Sequence, residues 1–180
     1  MGYAAVLYLR TDDDNGGTDI QLLLAKSRVA PLKTRLTIPQ LELNGAVLLT
    51  QLVTRVISCF ANSIDVQEVV CWCDSTVVLS WLRLSPHLLQ TFEGNRVSKI
   101  LNCTTTITWN HVPSSMNAAD CASRGIMGTE LLNHELWWRP KWLLDRADTW
   151  PSQPQVNTEG PLPGIKKVKI DTYITVPCLD

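Results

Sequence analysis

Three carboxylates and one histidine have the residue types and the placement that metal-dependent chemistry requires. Glu42 lies near the start of a helical pattern, Asp74 directly follows a strand-like apolar run, and Asp120 lies at the start of a later helix. Open α/β sheets bind ligands just beyond the carboxyl ends of their strands, which is the place that Asp74 would occupy. We therefore expect Glu42, Asp74 and Asp120 to converge on one end of a single sheet, with His111 close by.

A site made of three carboxylates needs a counter-charge, because like charges brought close together cannot all stay ionised. Mg²⁺ is the natural candidate, since it is a hard, oxygen-binding cation that bridges carboxylates to substrate phosphates. Two such ions can clamp the attacking and leaving oxygens of a phosphodiester during hydrolysis. His111 is close enough to Asp120 in sequence to reach the same site and assist departure of the leaving group.

Two of these carboxylates also have simpler interpretations. Asp74 could cap the helix that begins near Thr76, since Asp is a favoured N-cap residue. Residues 69–76 alone do not decide between this capping role and a role in ligand binding. Glu42 could be an acid favoured by the helix dipole. The dipole does not explain why Glu42 continues the apolar stripe of its helix, so a functional role is favoured there. That stripe consists of Ala46, Leu49, Val53, Ile57 and Phe60.

Apolar patterning and turn residues predict an α/β chain. The predicted strands cover residues 2–9, 20–25, 69–73 and 104–111, and the predicted helices cover residues 38–61, 76–84, 91–101 and 118–124. Asn15, Gly16 and Gly17 are a strong turn signal that makes the first two strands a hairpin. The short apolar run at 69–73 suits a strand that is buried on both faces.

Composition describes an ordinary globular protein. The chain has 180 residues, of which 45% are hydrophobic and 18% charged, and its net charge of −1 predicts no strong non-specific attraction to nucleic acid. Its six cysteines include no Cys-x-x-Cys pair, so a zinc site is not expected. No signal peptide and no apolar run of membrane-spanning length is apparent, so we expect an intracellular protein of the cytoplasm or nucleus without a membrane partner.

Three segments outside the carboxylates carry weaker signals. Residues 26–35 hold four basic side chains and no acidic one, which could touch phosphates but is more often a solvated loop. Residues 136–143 are rich in tryptophan, which could stack on bases but more often forms a hydrophobic flap folded back on the domain. Prolines punctuate residues 151–180 as in a linker. We predict a domain over residues 1–128, a Trp-rich extension over 129–150 and a tail over 151–180.

A series of short motifs resembles the ribonuclease-H-like region of BEL/Pao retrotransposon Pol polyproteins. In chain order the motifs are Gly2-Tyr3-Ala4-Ala5-Val6, Ala25-Lys26-Ser27-Arg28-Val29-Ala30-Pro31, Ile38-Pro39-Gln40-Leu41-Glu42-Leu43, Trp72-Cys73-Asp74-Ser75-Thr76-Val77-Val78-Leu79, Asn95-Arg96-Val97, His111-Val112-Pro113-Ser114, Asn117-Ala118-Ala119-Asp120, Ala122-Ser123-Arg124-Gly125 and Leu136-Trp137-Trp138. Each motif is weak alone, but the ordered set across residues 2–150 is specific.

The resemblance implies a ribonuclease-H-like mixed β-sheet flanked by helices, which degrades the RNA strand of RNA–DNA hybrids. It implies that Glu42, Asp74 and Asp120 hold two Mg²⁺ ions and that His111 acts beside them. It implies as partners the hybrid itself and the reverse transcriptase and integrase regions of the same polyprotein, with no small-molecule cofactor. The candidate nucleic-acid contacts are Lys26, Arg28, Lys33, Arg35 and Asn117.

The chain departs from the family at its amino terminus. The family places a further metal-binding aspartate in a strand just upstream of the Gly-Tyr-Ala-Ala segment, where this chain begins. Without that central strand we expect two half-sheets with unpaired inner edges and a chain that is unstable or inactive alone. The alternative is a non-catalytic ribonuclease-H-like connection or interaction module, or a relic of a retroelement.

The family is also known as Pao retrotransposon peptidase, and that activity lacks support in these residues. Aspartic peptidases of retroelements carry an Asp-Thr/Ser-Gly triplet. The nearest triplets of this chain are Asp74-Ser75-Thr76, Asp148-Thr149-Trp150 and Asp171-Thr172-Tyr173, none of which ends in glycine. We interpret the peptidase name as inherited from the polyprotein.

Overall fold

The computed structural model describes residues 2–13, 15–33, 35–103, 106–154 and 162–166. The strands are β1 (Gly2–Asp12), β2 (Thr18–Val29), β3 (Val70–Cys73) and β4 (Thr108–His111). The α-helices are α1 (Ile38–Phe60), α2 (Thr76–Arg83), α3 (Thr91–Leu101), α4 (Ala119–Arg124), α5 (Gly128–Leu132) and α6 (Glu135–Trp138). Small sheets flanked by helices confirm the predicted mixed α/β class and are consistent with a ribonuclease-H-like fold.

Strands β1 and β2 form the predicted antiparallel hairpin, with both strands longer than predicted. Their register runs from Gly2 opposite Val29 to Asp12 opposite Thr18, with one irregularity between Leu7 and Tyr8. Gly16 has a φ of 81°, a left-handed conformation that glycine adopts without the steric cost of a Cβ. The turn signal in the sequence therefore identified the hairpin correctly.

Helix α1 begins as predicted, because its first turn satisfies its own backbone groups. Thr37 is the N-cap, and it forms a capping box with Gln40 while Pro39 takes a position in the first turn. The predicted apolar stripe is only partly correct. Ala46 and Val53 are buried, but the other three stripe members are half-buried, and the buried set is Leu41, Leu43, Ala46, Leu48, Thr50, Leu52 and Val53.

The reason for this difference is that α1 packs on two sides. On one side Leu48 and Leu52 join Ala5 of the hairpin in a small apolar cluster. On the other side Leu43 and Ala46 join the main core, which is built largely from α2 and α3. A helix between two packing partners needs two buried faces rather than the single stripe of a surface helix.

Helix α1 is also long and apolar enough, by length and composition, to cross a membrane. It is not an uninterrupted apolar run, because Glu42 and Arg55 lie within it. Core helices pass the same test, and α1 contacts β1, β3, α2 and α3 as a core helix does. We treat α1 as the central core helix of the domain.

Strands β3 and β4 form a parallel pair in which Cys73 lies opposite His111. Cys71 and Cys73 are buried, and burial raises the pKa of each thiol to about 12. Strand β4 is shorter than predicted, and residues 104–105 of the predicted strand lie outside the described residues.

The four strands make two separate two-stranded sheets, β1–β2 and β3–β4, among the residues that the structure describes. This arrangement matches the expected pair of half-sheets. Helix α1 contacts both sheets. Trp150 also reaches both, because its ring lies 5.5 Å from that of Trp72 on β3 and 5.3 Å from the Cζ of Arg10 on β1. Packing, rather than strand pairing, joins the half-sheets.

The Trp-rich segment folds back on the domain, which confirms the flap interpretation. Trp137 is buried, and its carbonyl oxygen accepts a hydrogen bond of 2.7 Å from the hydroxyl of Tyr8. The indole of Trp142 donates to the carbonyl of Met116 at 3.1 Å and packs edge-on against Trp72. The predicted boundaries at residues 128 and 150 stay predictions. Of the predicted tail, residues 155–161 and 167–180 lie outside the described residues, whereas residues 162–166 pack against α2 and α3.

Candidate carboxylate site

The three predicted carboxylates come from three different elements. Glu42 lies in the first turns of α1, Asp74 follows the last residue of β3, and Asp120 lies in the first turn of α4. Helix α4 packs against β1 and β2, and α1 packs between the half-sheets. The charges of Asp74 and Asp120 both act on Glu42, so the fold brings the predicted carboxylates together.

Glu42 is half-buried, and both of the other carboxylates act on its ionisation. Burial raises the pKa of its carboxyl above the usual range, and the charges of Asp74 and Asp120 raise it further. A hydrogen bond from the side chain of Ser75 acts in the opposite direction, because it stabilises the ionised form. Asp74 and Asp120 therefore lie close enough to Glu42 to act on its ionisation.

Asp74 does not cap helix α2, so the capping interpretation was wrong. Ser75 is the N-cap, and its side chain accepts a hydrogen bond of 3.3 Å from the backbone amide of Val78. The residue that follows Asp74 takes the position from which a short side chain can reach the first turn of the helix. The Asp74 carboxylate instead accepts a hydrogen bond of 3.2 Å from the Ser114 hydroxyl.

Asp120 is partly neutralised within its own helix. Its Oδ2 lies 2.8 Å from an Nη2 of Arg124, one helical turn later. Burial raises the pKa of the Asp120 carboxyl, the charge of Asp74 raises it further, and the Arg124 guanidinium lowers it. Asp120 therefore has a protein cation beside it on one side and carboxylates on the other.

The donor set fits a hard divalent cation in its chemistry, because carboxylate oxygens are the ligands that Mg²⁺ prefers and nearby acids raise the pKa values of Glu42 and Asp120. In the described part of the chain these side chains do not form a group of three that could hold a metal ion as they stand. The residues suited to share Mg²⁺ are Glu42, Asp74 and Asp120.

His111 is held at the end of β4 by its backbone. Its amide donates to the side-chain oxygen of Gln153 at 2.5 Å, and its carbonyl accepts from the same amide group at 3.2 Å. Its register partner Cys73 directly precedes Asp74. These contacts place His111 at the end of β4, one strand away from the residue that precedes Asp74, and its role at the site stays a prediction.

The candidate nucleic-acid residues fall into two groups. Lys26 and Arg28 lie on β2, and Lys33 and Arg35 lie in the connection to α1; all four are exposed. Asn117 is engaged locally, since its Oδ1 accepts a hydrogen bond of 3.1 Å from the amide of Ala119 at the start of α4. The structure thus leaves the four cations accessible and gives Asn117 a turn-forming role.

The residues that sequence reasoning missed are the partners of the acids, namely Ser75, Ser114 and Arg124. Arg124 carried a usable signal, because it stands four residues after Asp120 in a helical pattern. Ser75 also carried one, since Ser is as good an N-cap as Asp. Ser114 had none, because its contact with Asp74 joins segments 40 residues apart.

Residues 1–75 match a family model described as a Pao retrotransposon-like RNaseH-like domain. This match is consistent with a Pao retrotransposon ribonuclease-H-like region and covers less than half of the 180 residues. The description names a ribonuclease-H-like domain and not a peptidase. Comparison with curated proteins and with solved structures gave no match.

The matched segment includes β1, β2, α1 and β3 and ends at Ser75. Glu42 and Asp74 therefore lie inside it, whereas His111 and Asp120 lie beyond it. Asp120 is connected to the other two carboxylates by the geometry of the fold alone.

Proposed function

We propose that this Pao region derives from, and in its complete form performs, hydrolysis of the RNA strand of RNA–DNA hybrids. One observation carries the proposal: Glu42, Asp74 and Asp120 come from three elements, and the charge of Asp74 acts on both Glu42 and Asp120. Carboxylates are gathered in this way where a divalent cation neutralises them. The match to a ribonuclease-H-like domain supports the reaction class.

The roles of the individual side chains follow from their contacts. Mg²⁺ supplies a Lewis acid for the attacking and leaving oxygens when it is bound by the three carboxylates. Ser75 orients Glu42 and favours its ionised form, and Ser114 orients Asp74. Arg124 keeps Asp120 ionised in the absence of other cations. His111, at the end of β4, is the candidate for protonating the leaving group.

We further propose that the 180 residues alone hydrolyse hybrids poorly or not at all. Within the described residues the carboxylates form no ready three-ligand group, and the half-sheets share no strand pairing. The resemblance implies a strand between β1 and β3 that carries a further carboxylate, and such a strand would pair with both half-sheets and add a ligand.

The proposed partners are an RNA–DNA hybrid and the reverse transcriptase and integrase regions of the same polyprotein. Lys26, Arg28, Lys33 and Arg35 would contact the phosphates of the hybrid, because they are exposed and concentrated in one stretch of chain. Such binding would weaken as salt concentration rises. The corresponding site of action is inside the cell, in the cytoplasm or nucleus.

Cleavage of a labelled RNA–DNA hybrid in the presence of Mg²⁺ tests these proposals. We expect little turnover by the isolated chain, and we expect turnover when the chain is joined to an upstream strand that carries an aspartate. Asp74→Asn and Glu42→Gln should abolish that restored activity, whereas Asp65→Asn, which changes an exposed acid, should not. Robust turnover by the isolated chain that disappears in Asp74→Asn would contradict the proposed inactivity.

A second candidate function is a non-catalytic connection or interaction module with the same fold. The ion pair between Arg124 and Asp120 favours it, because this pair occupies a carboxylate that catalysis would need for metal. Salt-sensitive binding of the hybrid, without cleavage even in the chain extended by the upstream strand, would support this module over the nuclease.

A further inference from the structure

Residues 162–166 return to the domain and dock in a groove formed by α2, the 3₁₀ turn Pro86–Leu88 and the start of α3. We call residues 162–166 the docking segment. The backbone amide of Gln90 donates to the carbonyl of Gly164 at 2.6 Å, and the amide of Lys166 donates to the carbonyl of Leu88 at 2.9 Å. Leu89 and Ile165 form an antiparallel bridge. The segment is thus recognised by main-chain pairing, as in β-strand addition.

Side chains add to this pairing. The indole nitrogen of Trp81 donates to the carbonyl of Pro163 at 2.7 Å, and Trp81 is only 1% exposed. Leu162 packs against the main core cluster, which contains Trp81, Leu89 and Val97. A buried indole N–H needs an acceptor, and the docking segment provides it.

Gly164 makes the recognition selective for glycine. Its φ is +80°, a conformation that side chains disfavour. A Cβ at this position would lie 3.0 Å from the Cγ of Glu93 and 3.2 Å from the Cζ2 of Trp81. Backbone conformation and lack of space therefore both exclude a larger residue.

Glu93, which lies next to Gly164, is hydrogen-bonded to the helix that carries Glu42. Glu93 is only 3% exposed, and its Oε1 accepts a hydrogen bond of 2.9 Å from the side-chain amide of Gln40. The Oε1 of Gln40 in turn accepts from the backbone amide of Thr37 at 3.0 Å, which closes the capping box of α1. Glu42 lies in the same first turns of α1.

We propose that this groove is a recognition site for a Leu-Pro-Gly-Ile segment with a turn at Pro163 and Gly164, and that its occupancy fixes the first turn of α1. The occupant is the docking segment of the same chain. A free peptide of the sequence Leu-Pro-Gly-Ile-Lys binds the same groove when the docking segment has been displaced. Occupancy of the groove is read out by backbone protection and not by cleavage, so it is independent of the proposed chemistry.

Amide hydrogen exchange of the full chain, followed residue by residue by NMR, tests the proposal. In the unsubstituted chain the amides of Gln90 and Lys166 are expected to be protected. Gly164→Ala should lower the protection of the Gln90 amide about tenfold or more. Alanine is disfavoured in the left-handed conformation, and its Cβ would also lie too close to Glu93 and Trp81. The protection of the Leu41 amide, which is bonded within the capping box turn, should fall with it. Gly16→Ala is the matched control, since Gly16 has a φ of +81° and a Cβ added there would have no neighbouring atom within 4 Å.

A peptide experiment separates recognition from general loosening. An excess of Leu-Pro-Gly-Ile-Lys should restore the protection of Gln90 in the Gly164→Ala chain, whereas Leu-Pro-Ala-Ile-Lys should not. Rapid exchange of Gln90 and Lys166 in the unsubstituted chain would overturn the proposal even if the variant fails to fold. Equal protection of the Gln90 amide in the Gly164→Ala and Gly16→Ala chains would also overturn it. The same holds if both peptides restore this protection equally, or if the protection of the Leu41 amide does not change in the Gly164→Ala chain.

Discussion

The side chain of Ser75 donates a hydrogen bond to the carboxylate of Glu42 and thereby ties the N-cap of α2 to the start of α1. The same hydroxyl oxygen accepts the amide of Val78 as the N-cap of α2. One serine therefore fixes a helix terminus and favours the charged form of a candidate metal ligand. The position of Glu42 relative to β3 depends on this residue.

Ser75→Ala is expected to lower the free energy of unfolding by about 1 kcal/mol, because the N-cap of α2 is lost. It should also raise the pKa of Glu42, since the hydrogen bond that favours ionisation disappears. Urea denaturation and an NMR titration of the Glu42 side chain measure the two effects. Ser75→Thr retains the hydroxyl and is the matched control; a Glu42 pKa that is the same in both variants would contradict the hydrogen bond.

The stability of the domain should fall as pH rises through the raised pKa values of Glu42 and Asp120. Both groups hold their proton more tightly in the folded state, so between the ordinary and the raised pKa the folded state binds more protons than the unfolded state. The free energy of unfolding then decreases with increasing pH in that window, which begins near the ordinary pKa values of 3.8 for Asp120 and 4.5 for Glu42.

Glu42→Gln should remove part of this pH dependence and leave the protein at least as stable as the parent at neutral pH. Glutamine still accepts a hydrogen bond from Ser75 but carries no charge into the half-buried carboxylate site. Urea denaturation across the window tests this expectation. Asp65→Asn, a change at an exposed acid, should leave the slope unchanged. A slope that Glu42→Gln does not alter would show that this carboxyl is not perturbed.

Arg124→Ala is expected to raise the pKa of Asp120 while changing stability by less than about 1 kcal/mol, because exposed ion pairs contribute little to folding. An NMR titration of the Asp120 carboxyl measures the shift. Lys141→Ala, which breaks the exposed ion pair with Glu135, is the control for stability and should not affect Asp120. An unchanged Asp120 titration would mean that Arg124 does not neutralise it.

Trp150→Ala should destabilise the domain by about 1–3 kcal/mol, since a half-buried aromatic side chain with ring and cation contacts is removed. The effect should be large because Trp150 packs on both half-sheets, through Trp72 and Arg10. Urea denaturation provides the measurement. Trp138→Ala is the comparison, because Trp138 is 45% exposed, and its cost should be clearly smaller. Equal costs would show that Trp150 does not join the half-sheets.

The sequence by itself determined those features that depend on neighbouring residues. Asn15, Gly16 and Gly17 predicted the hairpin, because a turn requires conformations that only a few residues adopt. Apolar periodicity predicted a helix over residues 38–61, because the spacing of apolar residues is a local property of the chain. The apolar run before Asp74 predicted β3 for the same local reason, and the elements that carry Glu42, Asp74 and Asp120 followed.

Only the tertiary structure decided which side chains serve the carboxylates and how the sheets are joined. Asp74 and Ser75 are adjacent, and both residue types are good N-caps. Ser75 caps α2, whereas the Asp74 carboxylate accepts a hydrogen bond from Ser114. The two buried faces of α1 and the docking of residues 162–166 arise from contacts between distant segments. The periodicity of apolar residues predicts which residues are buried. It does not predict which residues they pack against, because those contacts depend on the whole fold.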